Sequence, residues 1–221
     1  MIPVVKAKLL EAKRGLVVGI ANEQSIAWGC AKAFRAFGAE LAVTYLNDKA
    51  KKYVEPLARE LEAPILMPLD VRIPGQMELV FERIAKDWGK LDFVVHSIAF
   101  SPKEALQGRV VDVSCEGFLT TMEVSCWTFI RMAHLAEPLM RKGGTLFTMT
   151  YYGSQMVVKN YNIMGVAKAR GAMPPARAGP LIPNPIDQNP WAHWRSPMDM
   201  IRQGWSTSLF HAAQQWSTRS S

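Results

Sequence analysis

Short apolar runs alternate with longer amphipathic stretches along the front of the chain. Residues 15–20, 41–45, 65–69, 91–95 and 145–149 are apolar runs too short for helices, each ending in small or polar residues. Such runs predict parallel strands buried on both faces. Between them, residues 25–37, 49–61, 76–88 and 118–140 place apolar side chains every three or four positions, which predicts helices. Strand–helix alternation of this kind builds βαβ units and predicts an α/β fold with a doubly wound parallel sheet. Ligands of such sheets sit at the carboxyl ends of the strands, where the strand order reverses. The residues just after each run are therefore the ones to read for chemistry.

The pattern changes after Ala169. Pro174, Pro175, Pro180, Pro183, Pro185, Pro190 and Pro197 follow in quick succession. Proline lacks an N–H and restricts its predecessor, so this stretch suits neither a long helix nor a central strand. No Lys follows Lys168 and no Glu follows Glu137, while Trp191, Trp194, Trp205 and Trp216 crowd the same end. One helical signal remains, over residues 197–216. Ser196 stands at the cap, Pro197 at the first helical position, and Met198, Ile201, Trp205, Leu209, Ala212 and Trp216 share a face.

Composition narrows the class without deciding it. The 221 residues are 49% apolar and 20% charged, the balance of a soluble globular chain. No run reaches the ~20 apolar residues of a membrane helix, and the N-terminus has no signal-peptide pattern. Cys30, Cys115 and Cys126 are odd in number and lack metal-ligand spacing, which predicts a reduced, cytoplasmic setting with no metal. The net charge of +7 has no aromatic-interleaved basic stripe behind it, so a nucleic-acid partner is not expected.

Four segments carry candidate chemistry. Gly19 follows the first strand, and Ser25 and Ile26 open the next helix. A Gly there lets the backbone turn tightly against a pyrophosphate, and a helix start offers free N–H groups to an anion. Asp70-Val71 ends the third strand, where a carboxylate can accept from an adenine amino group or simply cap a loop. His96-Ser97-Ile98-Ala99-Phe100 ends the fourth strand; taken alone, His96 reads as a satisfied core histidine. After the fifth strand come Tyr151, Tyr161 and Lys168. Tyr161 and Lys168 are seven apart, two turns of a helix starting near Tyr161, and so share its face. An ammonium beside a phenol orients it for proton donation.

Taken together, the Gly-x5-Ser-Ile-Ala turn, the His-Ser-Ile stretch and the Tyr-x9-Tyr-x6-Lys set resemble the NADH-dependent enoyl-acyl-carrier-protein reductases of the short-chain dehydrogenase/reductase superfamily. Most of that superfamily uses Tyr-x3-Lys instead. The resemblance runs from about Gly15 to Ala169 and includes residues 39–48 and 125–129. It implies a Rossmann-like sheet, NADH as cofactor, and reduction of trans-2-enoyl-acyl-carrier protein in fatty acid elongation. It implies that Tyr161 hydrogen-bonds the thioester carbonyl, that Lys168 binds the nicotinamide ribose and supports Tyr161, and that Tyr151 lies by the acyl pocket. By the same resemblance Gly19, Ser25 and Ile26 form the pyrophosphate turn, and Asp70, Val71 and Ile98 meet the adenine end and adjoining ribose. Ser101 falls at a substrate contact. Leu46 falls where some members carry Gln beside the adenosine. With no arginine directly after the second strand, NADH is expected over NADPH, although Lys49 is near.

The family goes on past the lysine with the rest of a long helix, two more strands and a mobile substrate-covering segment, and it forms homotetramers. Residues 170–221 match none of this. The resemblance thus divides the chain into a reductase domain over 1–169, lacking the last two family strands, and a non-family tail over 170–221. The tail is expected to be out-of-frame or foreign sequence that ends the Lys168 helix within a turn, with weak or absent turnover. Two other readings stay open: a ketone-reducing member of the superfamily, and a non-catalytic or unstable nucleotide-binding fragment.

Overall fold

In the computed structural model residues 8–169 are described. The helix expected over 197–216, the end of the Lys168 helix and the other readings of the tail lie outside the described residues. Among the described residues the strands are β1 (Arg14–Val18), β2 (Glu40–Tyr45), β3 (Ile65–Pro68), β4 (Phe93–His96) and β5 (Thr145–Thr148). The helices are α1 (Ile26–Ala36), α2 (Asp48–Glu60), α3 (Gln76–Trp88), the short α4 (Lys103–Leu106), α5 (Cys115–Met122), α6 (Thr128–Ala136) and α7 (Asn162–Ala169). The sheet is wholly parallel in the order β3-β2-β1-β4-β5. It is the doubly wound parallel sheet that the strand–helix alternation predicted, Rossmann-like as the resemblance implied.

Period-2 alternation divides the strand residues between two cores. Leu16, Val18, Ala42, Ile65, Val94 and Leu146 pack with α3 and α6 through Val80, Phe81, Ile84, Phe129 and Met132. Val17, Leu41, Val43, Phe93 and Val95 pack on the other face with α1 and α2 through Ala27, Trp28, Ala31 and Val54. Both faces are thus covered, as an all-parallel sheet requires. The reversal of strand order falls between β1 and β4, where the first three strands run one way across the sheet and the last two the other.

The helix predicted over 118–140 is corrected in detail. It starts earlier, at Cys115, where the Ser114 side chain accepts from the Gly117 N–H. It then widens into a π segment over Glu123–Trp127 before α6, and closes in a 3-10 turn over Glu137–Leu139. Apolar periodicity is continuous through all three, so it cannot reveal the change of pitch.

The amino edge of the sheet is held by charge. Asp92 accepts from the Arg14 N–H and from Lys13, at 2.9 and 3.1 Å, and lies 3.3 Å from the Lys90 ammonium. Burial pushes the Asp92 carboxyl up, but these donors outweigh it and hold it below the usual carboxylate range. Hydrogen bonds from Arg72 likewise lower Asp70, and those from Arg131 lower Glu78. A carboxyl whose folded-state pKa is depressed contributes stability above its unfolded pKa, and that contribution is lost as pH falls through the folded value. Thermal melts should therefore be flat from neutral pH down to about 5 and fall steadily below ~4, the ordinary Asp and Glu range.

Candidate functional site

All the residues singled out after the strands lie on one edge, the carboxyl end of the sheet. Gly19 leaves β1 at φ +107°, a backbone region that disfavours side chains. A Cβ built there would stand 2.2 Å from the Ser97 carbonyl oxygen, so the two loops touch backbone to backbone. The Ser97 N–H donates to the Val18 oxygen at 2.9 Å, which fixes that contact. Ser25 then ties the turn: its Oγ accepts from the Ala21 and Asn22 N–H groups at 2.9 and 3.0 Å. The Ser25 hydroxyl therefore organises the loop before α1 and makes no side-chain cap on the helix itself. The first N–H groups of α1, which no helix satisfies internally, begin where this turn ends. Ile26, at the first position of α1, is 61% exposed.

Leu46 is also exposed, just beyond β2, and Asn47 caps α2 by accepting from the Ala50 N–H. Val71 and Ile98 are half-buried against the α3/α6 core. The Asp70 N–H donates to Gln76 Oε1 at 2.8 Å, and its carboxylate accepts from Arg72. Ser101, in the β4–α4 loop, packs against α5, its hydroxyl 2.7 Å from that of Thr121. His96 is fully buried, with Nε2 2.9 Å from Thr128 Oγ1 and its ring edge-on to Phe129. Thr128 spends its hydroxyl proton on the Val124 oxygen at 2.7 Å, so His96 must donate from Nε2. The histidine is a structural tie, as its sequence context suggested.

Tyr151, Tyr161 and Lys168 come together beyond β5. The Tyr151 and Tyr161 rings meet edge to face with centroids 4.8 Å apart. Gly153 lies directly under Tyr161, where a Cβ would come within 2.4 Å of the ring. Lys168 is 8% exposed, and its ammonium donates to the Met149 oxygen at 2.9 Å. The Thr150 hydroxyl donates to the Lys168 oxygen at 3.1 Å, so α7 is latched to the β5 loop from both sides. One expectation is refined. The helix begins at Asn162, and Tyr161 stands one residue ahead of it, between Asn160 and Asn162 with positive φ. Tyr161 and Lys168 thus converge on one loop without both being helical.

A row of hydroxyls escaped the sequence reading. Thr121, Ser125 and Thr128 are all buried; Thr121 and Ser125 hold the β4–α4 loop against α5 and the π segment, and Thr128 ties His96 of β4 to α6. Ser125 Oγ accepts from the Phe100 N–H and donates to the Phe100 oxygen, both at 3.0 Å. Their i, i+4, i+7 spacing marks one helix face and was the available signal. π segments concentrate at functional sites, and this one sets Ser125 under the loop that carries Ile98 and Ser101. A cavity of about 310 Å³ lies under the β3–α3 loop, lined among others by Val71, Arg72, Trp127 and Arg131; none of Tyr151, Tyr161 or Lys168 lines it. Among the described residues no cluster of three or more His, Cys, Asp or Glu could hold a metal.

The family described as enoyl-(acyl carrier protein) reductase matches residues 19–171, which spans every candidate site residue named above. The chain belongs to this family. It is 50% identical over 161 residues to enoyl-[acyl-carrier-protein] reductase [NADH] 2 of Rhizobium meliloti, covering 73% of this chain and 60% of that protein. It is 44% identical to the corresponding NADH reductase of Rickettsia conorii, covering 73% of this chain and 62% of the relative. The crystal structure of the Anaplasma phagocytophilum reductase in complex with NAD superposes with a TM-score of 0.75 at 46% identity, covering 80% of this chain and 68% of that one. The chain therefore spans about three-fifths of the length of the curated relatives it matches.

For a member of this family, the contact between Gly153 and Tyr161 gives a direct test of the tyrosine's placement. Gly153→Ala should push the Tyr161 ring aside and cost about 10²-fold in any Tyr161-dependent turnover, the scale for a displacement of about 1 Å. Nucleotide affinity should change little. Steady-state kinetics beside a nucleotide titration would separate the two effects.

Proposed function

We propose that the chain binds NADH along the carboxyl edge of its sheet and reduces trans-2-enoyl thioesters presented on acyl-carrier protein, a reduction step of fatty acid elongation. The observation that carries this reading is the convergence of Tyr151, Tyr161 and Lys168 on the β5 loop, in a chain of this family. The dinucleotide fits what the residues offer. Gly19 lets the β1 loop turn tightly with its backbone against Ser97, and the N–H groups at the start of α1 suit a pyrophosphate. Ile26 and Leu46 leave apolar surface uncovered on the same edge. No arginine follows β2 to hold a 2′-phosphate, which favours NADH over NADPH.

NADH, when bound, supplies a hydride for C3 of the enoyl thioester. The chain's own part is electrostatic. Negative charge grows on the thioester oxygen as C3 is reduced, and the Tyr161 hydroxyl donates to that oxygen. Lys168, fixed by the Met149 oxygen, would hold the nicotinamide ribose and support that hydroxyl with its charge. Tyr151 braces the Tyr161 ring and borders the acyl group, and Ser101 contacts the substrate from the β4 loop. Protonation at C2 completes the reduction.

Three free thiols among the described residues support a reducing, cytoplasmic setting, and no described helix is long and apolar enough to cross a membrane. Phe118, Leu119, Trp127 and Ile130 leave an exposed apolar surface on the α5–α6 unit, which supports assembly with further copies of the chain. Deuterium labelling tests the chemistry. Incubation with 4-deuterio-NADH of the transferable configuration should place the label at C3 of a crotonyl thioester, while an acetoacetyl thioester stays unreduced. Label appearing at the carbinol carbon of the ketone substrate would instead assign a ketone reductase.

A further inference from the structure

Arg72 is a residue of this edge that the proposed chemistry does not use. Its guanidinium donates to Asp70 from both sides of its fork, Nη2 to Oδ2 at 2.8 Å and Nε to Oδ1 at 3.1 Å, and its backbone N–H reaches Oδ1 at 3.0 Å. One residue thus fills three of the roughly four acceptor positions of that carboxylate. The same guanidinium lies 5.8 Å from the centroid of Phe100, in the loop after β4. In the order β3-β2-β1-β4-β5, two strands separate β3 from β4. At ~4.8 Å per strand, the Arg72–Phe100 contact joins loops from strands about 14 Å apart. Phe100 is itself pinned at both backbone atoms by Ser125, so the far end of the bridge is fixed.

We propose that Arg72 is a positioning residue for the adenine end of the nucleotide site. It holds the Asp70 carboxylate in one orientation, with a single acceptor position left for the adenine amino group, and its stack on Phe100 sets the span of the subsite. This rests on the NADH reading above. Two carboxylates could compete for Arg72. Glu78 is taken by Arg131 at 2.7 Å, and Glu123 acts on Arg72 through its charge alone. With Arg72 half-exposed to solvent, this pair adds only modestly to folding, and its larger worth lies in orientation.

ADP-ribose is the probe of choice, because it carries the adenine end without the nicotinamide and needs no turnover. Calorimetric titration of the full chain should show Arg72→Gln weakening ADP-ribose by about five- to tenfold, the scale of one ordinary net hydrogen bond. Arg72→Lys keeps the charge but loses the fork, and should fall between. Asp70→Asn should weaken binding at least as much as Arg72→Gln, and the double variant should be no weaker than Asp70→Asn alone. The hypoxanthine counterpart of ADP-ribose, which lacks the amino group, should bind the unmodified chain more weakly, and Arg72→Gln should narrow that preference. Melting temperatures measured alongside identify any variant that fails to fold; if Arg72→Gln does so, the Arg72→Lys titration decides. Unchanged ADP-ribose affinity in the Arg72 variants, or full additivity in the double variant, would overturn the proposal. If the unmodified chain binds no ADP-ribose, the nucleotide reading and this proposal fall together. If it binds ADP-ribose with the expected Arg72 dependence but transfers no hydride, only the reductase reading falls.

Discussion

Tyr161→Phe is expected to slow reduction of a crotonyl thioester by about 10²–10³-fold, while NADH affinity stays within about a factor of two. The magnitude is that of losing one preorganised donor to an oxyanion. The selectivity follows from where the ring sits. Tyr161 rests on Tyr151 and Gly153, and phenylalanine keeps both contacts and removes only the hydroxyl. Binding and packing should survive while the developing charge loses its partner. Stopped-flow NADH oxidation under single-turnover conditions, read beside an NADH fluorescence titration, separates the two terms. Equal losses in affinity and rate would mean that the ring, and not its hydroxyl, carries the effect.

Gly19→Ala should abolish measurable NADH binding and destabilise the domain by on the order of 3 kcal/mol. Two costs act together. The φ of +107° is unsuited to a side chain, and the new Cβ would stand 2.2 Å from a backbone oxygen that cannot rotate away. Relief would require separating the β1 loop from Ser97, and that loop carries the turn to α1. Against a typical net stability of ~5–15 kcal/mol, such a loss is large but survivable. Denaturant melts should thus show a folded protein with a lower midpoint and no response to nucleotide. Near-native NADH affinity in this variant would mean that the pyrophosphate turn lies elsewhere.

The sheet was legible because β1, β2 and β4 are buried on both faces, and the partly buried edge strands β3 and β5 are still short and rich in apolar residues. The edges were less clear. The run over 91–95 begins two residues before β4, since Leu91 is buried but gives its N–H to the Leu139 oxygen rather than to a neighbouring strand. The helix over 76–88 was read residue for residue, because left-handed glycines stand at both ends. The Gly19–Ser25 turn, the Asp70 loop and the Tyr161–Lys168 set stood out as local motifs at strand ends. Contacts made across the fold were not. The fork of Arg72 on Asp70 is local, but its stack on Phe100 depends on the packing of two distant loops. Nor does anything in the pattern of 118–140 announce a π segment that turns Ser125 toward Phe100. Buried hydroxyls on a helix look like ordinary helix surface until the loop above them is placed.

The central claim is that the folded domain carries a working NADH site, and thermal stabilisation by the cofactor tests it most directly. A ligand at about 100 times its Kd adds ~2.7 kcal/mol to the native state. For a chain of this size that is a rise of about 5–10 °C in Tm. NADH should produce a concentration-dependent rise on this scale, with NADPH giving less at the same concentration. A cooperative melt that neither nucleotide moves would contradict the claim.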